Sequence, residues 1–209
     1  MNIFKRYPEF IEDDVRKNRK DEIYNINFDF LKKRYSSLLP PAMIKDKTIL
    51  DLGAAIGSLG AWCLHWGAKH YTGVDHNYSN IANKNLSKYF DSSRWKWVEM
   101  DVEEYLNMWG NTYEYDFAVL AGIIYYFEDH STILKKVKAK TIIIETNSAE
   151  YTQWRIVKHE SEEKWKPRKF EPKSYYDKIL QDYEYKEFVN HLPEFYNDGY
   201  RTIYHYKKK

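Results

Sequence analysis

Two glycines and an aspartate lie close together at the end of a short apolar run in the segment Thr48 to Gly60. The run itself, Thr48 to Leu52, has the length and composition of a buried parallel strand, and the residues after Gly57 are predicted to form a helix. A strand, a glycine-rich turn and a helix form a seat for a ligand, because Gly53 and Gly57 let the backbone bend sharply and approach a bound molecule closely. The same spacing also occurs where a helix merely packs on a strand, so the turn alone leaves both interpretations open.

The positions of the glycines argue against two kinds of phosphate-binding turn. A dinucleotide fingerprint that begins at Gly53 requires further glycines at positions 55 and 58, where the chain has Ala55 and Ser58. A P-loop requires four residues between its glycines and then Gly-Lys-Ser/Thr, whereas three residues separate Gly53 from Gly57 and no lysine follows. Phosphate binding by this turn is therefore not expected.

Aspartates also follow the next two predicted strands. Tyr71 to Val74 is a second strand that ends in Asp75, and Trp95 to Met100 is a third that ends in Asp101. In a doubly wound sheet, an acid at the tip of the second strand faces the ribose of a nucleoside held at the first turn, and its carboxylate can accept hydrogen bonds from both hydroxyls. Asp75 can also cap the following helix, and the two roles are compatible.

Strands and helices alternate along the chain and would position these residues. A fourth strand is predicted at Tyr115 to Leu120 and a fifth at Lys140 to Glu145. Because the strand order of a doubly wound sheet reverses between the first and fourth strands, residues 121 to 127 are expected to face the reacting group. The remaining predictions are helices at Pro8 to Arg19, Phe28 to Leu38, Ser58 to Trp66, around Ile81, Leu86 and Phe90, and at Glu103 to Trp109, Ser131 to Lys138 and Pro172 to Asp182, and strands at Tyr185 to Val189 and Tyr200 to Tyr206.

The composition predicts one globular domain over residues 1–209, because 43% hydrophobic and 31% charged residues with a formal charge of +2 suit a full core. No apolar stretch approaches the roughly 20 residues of a membrane span, and the charged start lacks the apolar core of a signal peptide. We therefore expect a cytoplasmic protein with no membrane partner. Cys63, the single cysteine, is expected to be a packed thiol, and the seven histidines show no metal-ligand spacing, so no metal is predicted.

The segment Asp51-Leu52-Gly53-Ala54-Ala55-Ile56-Gly57 resembles motif I of class I S-adenosylmethionine-dependent methyltransferases, Asp-x-Gly-x-Gly-x-Gly, with alanine at the middle glycine. Asp101-Val102 is similar to the acidic-apolar pair that binds adenine in that family. The resemblance spans Thr48 to Tyr206 and implies an α/β, Rossmann-like, doubly wound sheet of seven strands, ordered 3-2-1-4-5-7-6 with an antiparallel last strand and helices on both faces. It implies S-adenosyl-L-methionine as the cofactor, bound by Asp51, Gly53, Ala54, Ala55, Gly57, Asp75, His76, Asp101, Val102 and Ala121.

The residues after the fourth strand indicate the acceptor. Leu120 to Asp129 looks like the Gly-Val-Leu-Tyr-His-Leu segment of small-molecule methyltransferases and of the tRNA wobble-uridine carboxymethyl-transferring family. The resemblance implies methyl transfer to a small molecule, with Tyr126 and Glu145 as the candidate catalytic residues that orient the acceptor or take a proton. Tyr126 stands where those relatives often carry histidine, and Tyr125 and His130 are expected nearby.

Two other functions stay open. Aromatic and basic residues alternate at 146–171 and a lysine tail ends the chain at 207–209, which predicts either a flap over a small substrate or an RNA surface. An RNA methyl or carboxymethyl transferase is therefore the first alternative, whereas the motifs of DNA methyltransferases are absent after the fourth strand. A non-catalytic scaffold or regulatory subunit that keeps the fold is the second. Residues 1–47 are predicted to be an N-terminal helical cap, whose candidates to close over a ligand are Tyr24, Arg34 and Tyr35.

Overall fold

A mixed β-sheet with helices against both faces forms the centre of the fold. A computed structural model of the chain describes residues 3–10, 28–110, 112–147, 171–187, 192–193 and 200–209. The strands are β1 (Thr48–Leu52), β2 (His70–Asp75), β3 (Trp95–Glu99), β4 (Tyr115–Ala121), β5 (Ala139–Asn147), β6 (Tyr183–Glu187), β7 (Leu192–Pro193) and β8 (Tyr200–Lys208). The α-helices are α1 (Phe28–Leu38), α2 (Ser58–His65), α3 (Ser79–Tyr89), α4 (Val102–Trp109), α5 (His130–Lys136) and α6 (Lys173–Ile179).

The strand order is β3-β2-β1-β4-β5-β8-β6, with β1 to β5 parallel to one another. The long strand β8 lies between β5 and β6 and is antiparallel to both. With the two-residue strand β7 left out, this order is the predicted 3-2-1-4-5-7-6 with an antiparallel last strand, so the predicted fold class is confirmed. β7, which pairs with the start of β8, was not predicted because two residues carry no periodic signal.

Alternating apolar residues place one core on each face of the sheet. We call the face covered by residues 3–10, α1, α2 and α3 the cap face; Ile49 of β1, Val119 of β4 and Ile143 of β5 are buried there. Their neighbours Leu50, Leu120 and Ile144 are buried on the opposite face, against α4, α5 and α6. No helix within the described ranges is long and apolar enough to cross a membrane.

The element boundaries differ from the predicted ones by a few residues. β5 runs from Ala139 to Asn147, longer than predicted, because it pairs with β4 on one side and β8 on the other. Helix α5 is capped by Asp129, whose carboxylate accepts a hydrogen bond from the Ser131 amide at 2.9 Å. In place of the predicted helix from Pro8, the structure has a 3-10 turn at Pro8–Phe10, and residues 11–19 lie outside the described residues.

Asp116 ties together the amino ends of three neighbouring strands. Its Oδ2 accepts hydrogen bonds from the Thr48 amide at 3.0 Å and the Thr48 hydroxyl at 3.1 Å, and its Oδ1 accepts one from Lys140 Nζ at 2.9 Å. Partial burial raises the pKa of Asp116, but the bonds from Thr48 and Lys140 outweigh it, and the net pKa lies below its ordinary value. The charged carboxylate therefore stabilises the pairing of β1, β4 and β5.

We expect Asp116→Asn to lower the free energy of unfolding at pH 7 by about 1–2 kcal/mol, because the amide is a weaker acceptor for Thr48 and Lys140. Since the folded-state pKa is the lower one, the carboxylate stabilises the fold above the unfolded value of about 3.9, and that contribution is lost as pH falls through the folded-state pKa. Urea unfolding at pH 7 and pH 3 measures both effects. The control Glu114→Gln, at an exposed ion pair with Lys208, should leave the free energy of unfolding nearly unchanged. An Asp116→Asn deficit that persists undiminished at pH 3 would contradict the assignment.

Candidate functional site

The turn after β1 has a backbone that requires glycine at its first position. Gly53 and Gly57 have φ of +77° and +82°, in the left-handed region. A Cβ at Gly53 would lie 2.1 Å from Ile123 Cδ1 and 3.0 Å from Ile123 Cβ, so a side chain there would collide with the segment that follows β4. Ala55 also has a positive φ, +47°, which costs an alanine about 1 kcal/mol and explains why related motifs have glycine at this position.

Four amides of this turn, those of Gly53, Ala54, Ala55 and Gly57, are already hydrogen-bonded within the protein. The Gly53 and Ala54 amides donate to the Val74 carbonyl at 2.9 and 3.1 Å, and the Gly57 amide donates to the Ala54 carbonyl at 2.9 Å. The Ala55 amide donates to Asp75 Oδ2 at 3.0 Å. A phosphate-binding turn aims such amides at its ligand, so the structure agrees with the sequence in arguing against a phosphate at this place.

Asp51 is a nearly buried carboxylate at the end of β1, on the cap face. It is 2% exposed, and its Oδ2 accepts a 2.8 Å hydrogen bond from the Tyr71 hydroxyl. Burial raises the pKa of Asp51 to about 7, although the Tyr71 hydrogen bond and the charge of Arg34 lower it. Within the described residues Oδ1 accepts no hydrogen bond, so that oxygen is available to a donor from a ligand.

The other predicted acids lie at the tips of the neighbouring strands, where β2 and β3 end. Asp75 is 9% exposed and accepts hydrogen bonds from the Ala55 amide and, at 2.9 Å, from the Asn77 amide. Asp75 therefore fastens the glycine turn to β2, and the cap of α3 is Tyr78 instead. Asp101 is exposed and caps α4 by accepting a 2.7 Å hydrogen bond from the Glu103 amide.

The remaining predicted cofactor residues differ in their exposure. His76 is exposed beside Asn77, and Ala121 is half-buried at the tip of β4. Ala54 is 7% exposed, and Val102 is 4% exposed within the core opposite the cap face, so both present little surface to a ligand. The tips of β1 to β4 thus bring the predicted set to one edge of the sheet.

A buried ion pair lies beside Asp51 on the cap face. Arg34 of α1 donates from Nε and Nη2 to the two oxygens of Glu145, at 2.8 and 2.5 Å, and Glu145 is fully buried. Burial lowers the pKa of Arg34, but the charge and hydrogen bonds of Glu145 raise it by more, which keeps the guanidinium charged. The pair joins the N-terminal cap to the tip of β5.

The segment after β4 presents one exposed aromatic ring at this edge. Tyr126, on the 3-10 turn Ile124–Tyr126, is 41% exposed and packs on the buried Tyr125 with ring centroids 4.8 Å apart. His130 is buried under α6, where its ring stacks on that of Tyr176, so it is part of the core instead of the edge. Of the candidate catalytic residues, Tyr126 faces solvent and Glu145 faces Arg34.

Two predicted features lie outside the described residues. They are Tyr24 and residues 148–170, which make up most of the aromatic and basic stretch at 146–171, so the predicted flap is not described. Of the predicted RNA surface, the lysine tail at 207–209 is described: Lys208 Nζ donates a hydrogen bond to Glu114, and Lys209 Nζ donates one to the Gln181 carbonyl. A surface cavity of about 470 Å³ lies far from the glycine turn, between α6, β6 and β8. Its polar side chains already bind one another, as in the Lys173–Asp177 ion pair and the hydrogen bond from Tyr206 to Asp177.

Sequence reasoning missed two residues that shape the site, Tyr71 and Ile123. Tyr71 was assigned only to a strand, and Ile123 only to the segment facing the reacting group. The signal for Tyr71 is a glycine inside a predicted helix: Gly60 lies within α2, where a Cβ would lie 2.6 Å from Tyr71 Cε1. Gly53 alone carried no information about which side chain covers it.

No family model and no curated protein matches the chain. The fold is similar to magnesium protoporphyrin IX methyltransferase from Synechocystis PCC 6803 with bound S-adenosylhomocysteine, with TM-score 0.70, 14% identity and coverage of 99% of this chain and 94% of that one. It is similar to 1,6-didemethyltoxoflavin-N1-methyltransferase from Burkholderia thailandensis, with TM-score 0.64, 15% identity and coverage of 98% and 90%. The small RNA methyltransferase HEN1 gives TM-score 0.59 and 15% identity, over 87% of this chain and 26% of that one. At these identities the likeness shows the fold, that of S-adenosylmethionine-dependent methyltransferases.

We expect Gly53→Ala to destabilise the protein by about 1–3 kcal/mol, because the new methyl group meets Ile123 and the backbone keeps a positive φ. Gly67→Ala is the matched control, since Gly67 has φ +85° but its nearest neighbour would be Lys45 Cγ at 3.7 Å. Urea unfolding should show a larger loss at Gly53 than at Gly67. In the Ile123→Ala background, the additional loss of unfolding free energy at Gly53 should disappear. An equal loss of unfolding free energy for Gly53→Ala and Gly67→Ala in the wild-type background would contradict the steric explanation.

Proposed function

We propose that the chain is an S-adenosylmethionine-dependent methyltransferase that acts on a small-molecule acceptor. The observation that carries the proposal is the buried Asp51 carboxylate, with one oxygen available, beside a turn in which four amides are already bonded within the protein. A buried anion favours a cationic group, and the turn disfavours a phosphate. The cationic amino-acid end of S-adenosylmethionine fits this combination, whereas a nucleotide does not.

The residues around the turn fit the rest of the cofactor. The missing side chain of Gly53 makes room for Ile123, which covers this part of the turn, since a Cβ there would lie 2.1 Å from Ile123 Cδ1. Asp51 is proposed to hold the amino group and Asp75 the ribose, through lone pairs that its two backbone hydrogen bonds leave open. Asp101 and Val102 are proposed to hold the adenine, with Ala54, Ala55, Gly57, His76 and Ala121 lining the remainder.

S-adenosylmethionine, when bound, supplies a methyl group that its positive sulfur already activates. The chain therefore has to align the acceptor and exclude water. We propose that the exposed Tyr126 orients the acceptor, supported from beneath by Tyr125. Glu145 is proposed to act at the acceptor side through Arg34, because both carboxylate oxygens bind the guanidinium, and it takes a proton only where that ion pair opens.

The experiment is transfer of a labelled methyl group from S-adenosylmethionine to small-molecule, RNA and protein fractions of a cell extract, together with calorimetric binding of S-adenosylhomocysteine. We expect binding, and label in the small-molecule fraction. Label in the RNA fraction would show that the acceptor is RNA and not a small molecule. Binding of S-adenosylhomocysteine without methyl transfer would favour a non-catalytic scaffold. Absence of binding would overturn the cofactor assignment itself.

Asp51→Asn should weaken S-adenosylhomocysteine binding by about 10- to 100-fold, because a charged partner of the amino group is removed. Asp91→Asn, at an exposed cap of the turn Ser92–Arg94, is the matched control and should bind normally. Calorimetry at pH 8 measures both affinities. Unchanged affinity in Asp51→Asn would contradict the assigned role.

The same Asp51→Asn substitution should stabilise the ligand-free protein. The folded-state pKa of Asp51, about 7, is above the unfolded value, so the fold favours the protonated carboxyl. The stability that this neutral form gives at low pH is lost as pH rises to about 7 and the buried group ionises. At pH 8 the variant should therefore unfold with a free energy about 2–4 kcal/mol higher than the wild type, and the gain should shrink toward pH 4. Urea unfolding across this range measures the trend, and a gain that does not depend on pH would contradict it.

A further inference from the structure

We infer that Tyr71 is a positioning residue for Asp51: its hydroxyl fixes one carboxylate oxygen and favours the ionised form, so that the other oxygen meets the amino group of the cofactor. The inference rests on the proposed function and goes beyond it, since nothing in the motif that contains Asp51 specifies a tyrosine on the neighbouring strand. The contact that supports it is the 2.8 Å hydrogen bond from the Tyr71 hydroxyl to Asp51 Oδ2.

Two glycines make the path by which Tyr71 reaches Asp51. Tyr71 pairs with Ile49, two residues before Asp51, so its ring has to extend along the sheet past Gly73, the residue paired with Asp51. A Cβ at Gly73 would meet the Trp97 ring first, 2.7 Å from Cζ3, and would lie 3.0 Å from the Tyr71 hydroxyl oxygen. On the helix side, a Cβ at Gly60 would lie 2.6 Å from Tyr71 Cε1 and 2.7 Å from Cζ. The ring therefore occupies a slot between α2 and β2 that only glycines leave open.

The slot gives Tyr71 a fixed orientation. Its ring is fully buried, and burial together with the nearby charge of Asp51 raises the pKa of its hydroxyl well above the ordinary value. Tyr71 therefore keeps its proton and can only donate to Asp51. Because Oδ2 takes this bond, the ligand-facing oxygen of Asp51 is Oδ1, which accepts no hydrogen bond from the described residues.

Tyr71 also matters for the charge of Asp51. Burial favours the protonated carboxyl, and among the groups around it the Tyr71 hydrogen bond and Arg34 of α1 favour the carboxylate, whereas Asp75 and Glu145 oppose it. The other titratable groups that share this surrounding are Tyr35 of α1 and Cys63 of α2. Without the Tyr71 hydroxyl, Arg34 is the remaining group that favours the charged form, and Arg34 is bound to Glu145.

The test is the affinity for S-adenosylhomocysteine between pH 5.5 and 8.5, measured by calorimetry for the wild type, Tyr71→Phe, Gly60→Ala and the control Tyr105→Phe. Tyr105 is a buried tyrosine on the opposite face whose hydroxyl meets that of Tyr115 at 3.1 Å. In the wild type, affinity should fall below pH 7. In Tyr71→Phe the fall should begin about one pH unit higher, because a hydrogen bond to a charged group is lost.

At pH 6 the affinity of Tyr71→Phe should therefore be about ten-fold weaker than that of the wild type, and at pH 8.5 less than about two-fold weaker. Recovery at high pH separates loss of the ionised carboxylate from general damage to the fold. Gly60→Ala should behave like Tyr71→Phe because its methyl group displaces the ring. An identical pH dependence in the wild type and Tyr71→Phe would overturn the inference.

A second readout does not need the cofactor. The carboxyl ¹³C signal of Asp51, assigned with Asp51→Asn, reports its titration in the ligand-free protein. The midpoint of this titration should move to higher pH in Tyr71→Phe and stay unchanged in Tyr105→Phe. If the wild type binds no S-adenosylhomocysteine but the titration midpoint moves in Tyr71→Phe, the proposed cofactor is wrong and the effect of Tyr71 on Asp51 stands. If the wild type binds S-adenosylhomocysteine but the midpoint does not move, the proposed cofactor stands and the role of Tyr71 is wrong.

Discussion

Desolvation of the Asp51 carboxylate is the constraint on which the candidate site depends. A carboxylate that is almost out of contact with water retains its charge only with donors or cations beside it. In the ligand-free chain those neighbours are the Tyr71 hydroxyl and, farther away, Arg34, and they leave the carboxyl half-ionised near neutral pH. The amino group of the proposed cofactor would be a further cationic partner for this carboxylate, which is the electrostatic basis of the proposed site.

The sheet supplies the geometry for this arrangement. The strand order reverses between β1 and β4. The glycine turn, Asp75 and the ion pair of Arg34 with Glu145 all lie at the carboxyl ends of the parallel strands. The N-terminal cap belongs to the same arrangement. Through Arg34 it contributes a charge to the tip of β5, and through Phe10, whose carbonyl accepts a hydrogen bond from Ser58, it packs against the start of α2.

Much of the fold follows from the sequence because its signals are local. Apolar runs that end at Asp51, Asp75 and Asp101 locate three parallel strands, and the family resemblance of the motifs implies the strand order that the structure shows. The hydrogen bonds and the ion pair of the site do not follow from the sequence in the same way. Nothing near Arg34 in the sequence points to Glu145, 111 residues away. Amides of the glycine turn donate hydrogen bonds to Val74 and Asp75, which belong to another strand. Tertiary contacts of this kind are set by packing, which no periodicity records.

A crystal structure of the chain grown with S-adenosylhomocysteine tests the central claim most directly. The predicted result is the amino group of the ligand within hydrogen-bond distance of Asp51 Oδ1, with the Tyr71 hydroxyl still on Oδ2, and the nucleoside lying across the tips of β2 and β3. A ligand bound elsewhere, or one whose amino group makes no contact with Asp51, would contradict it.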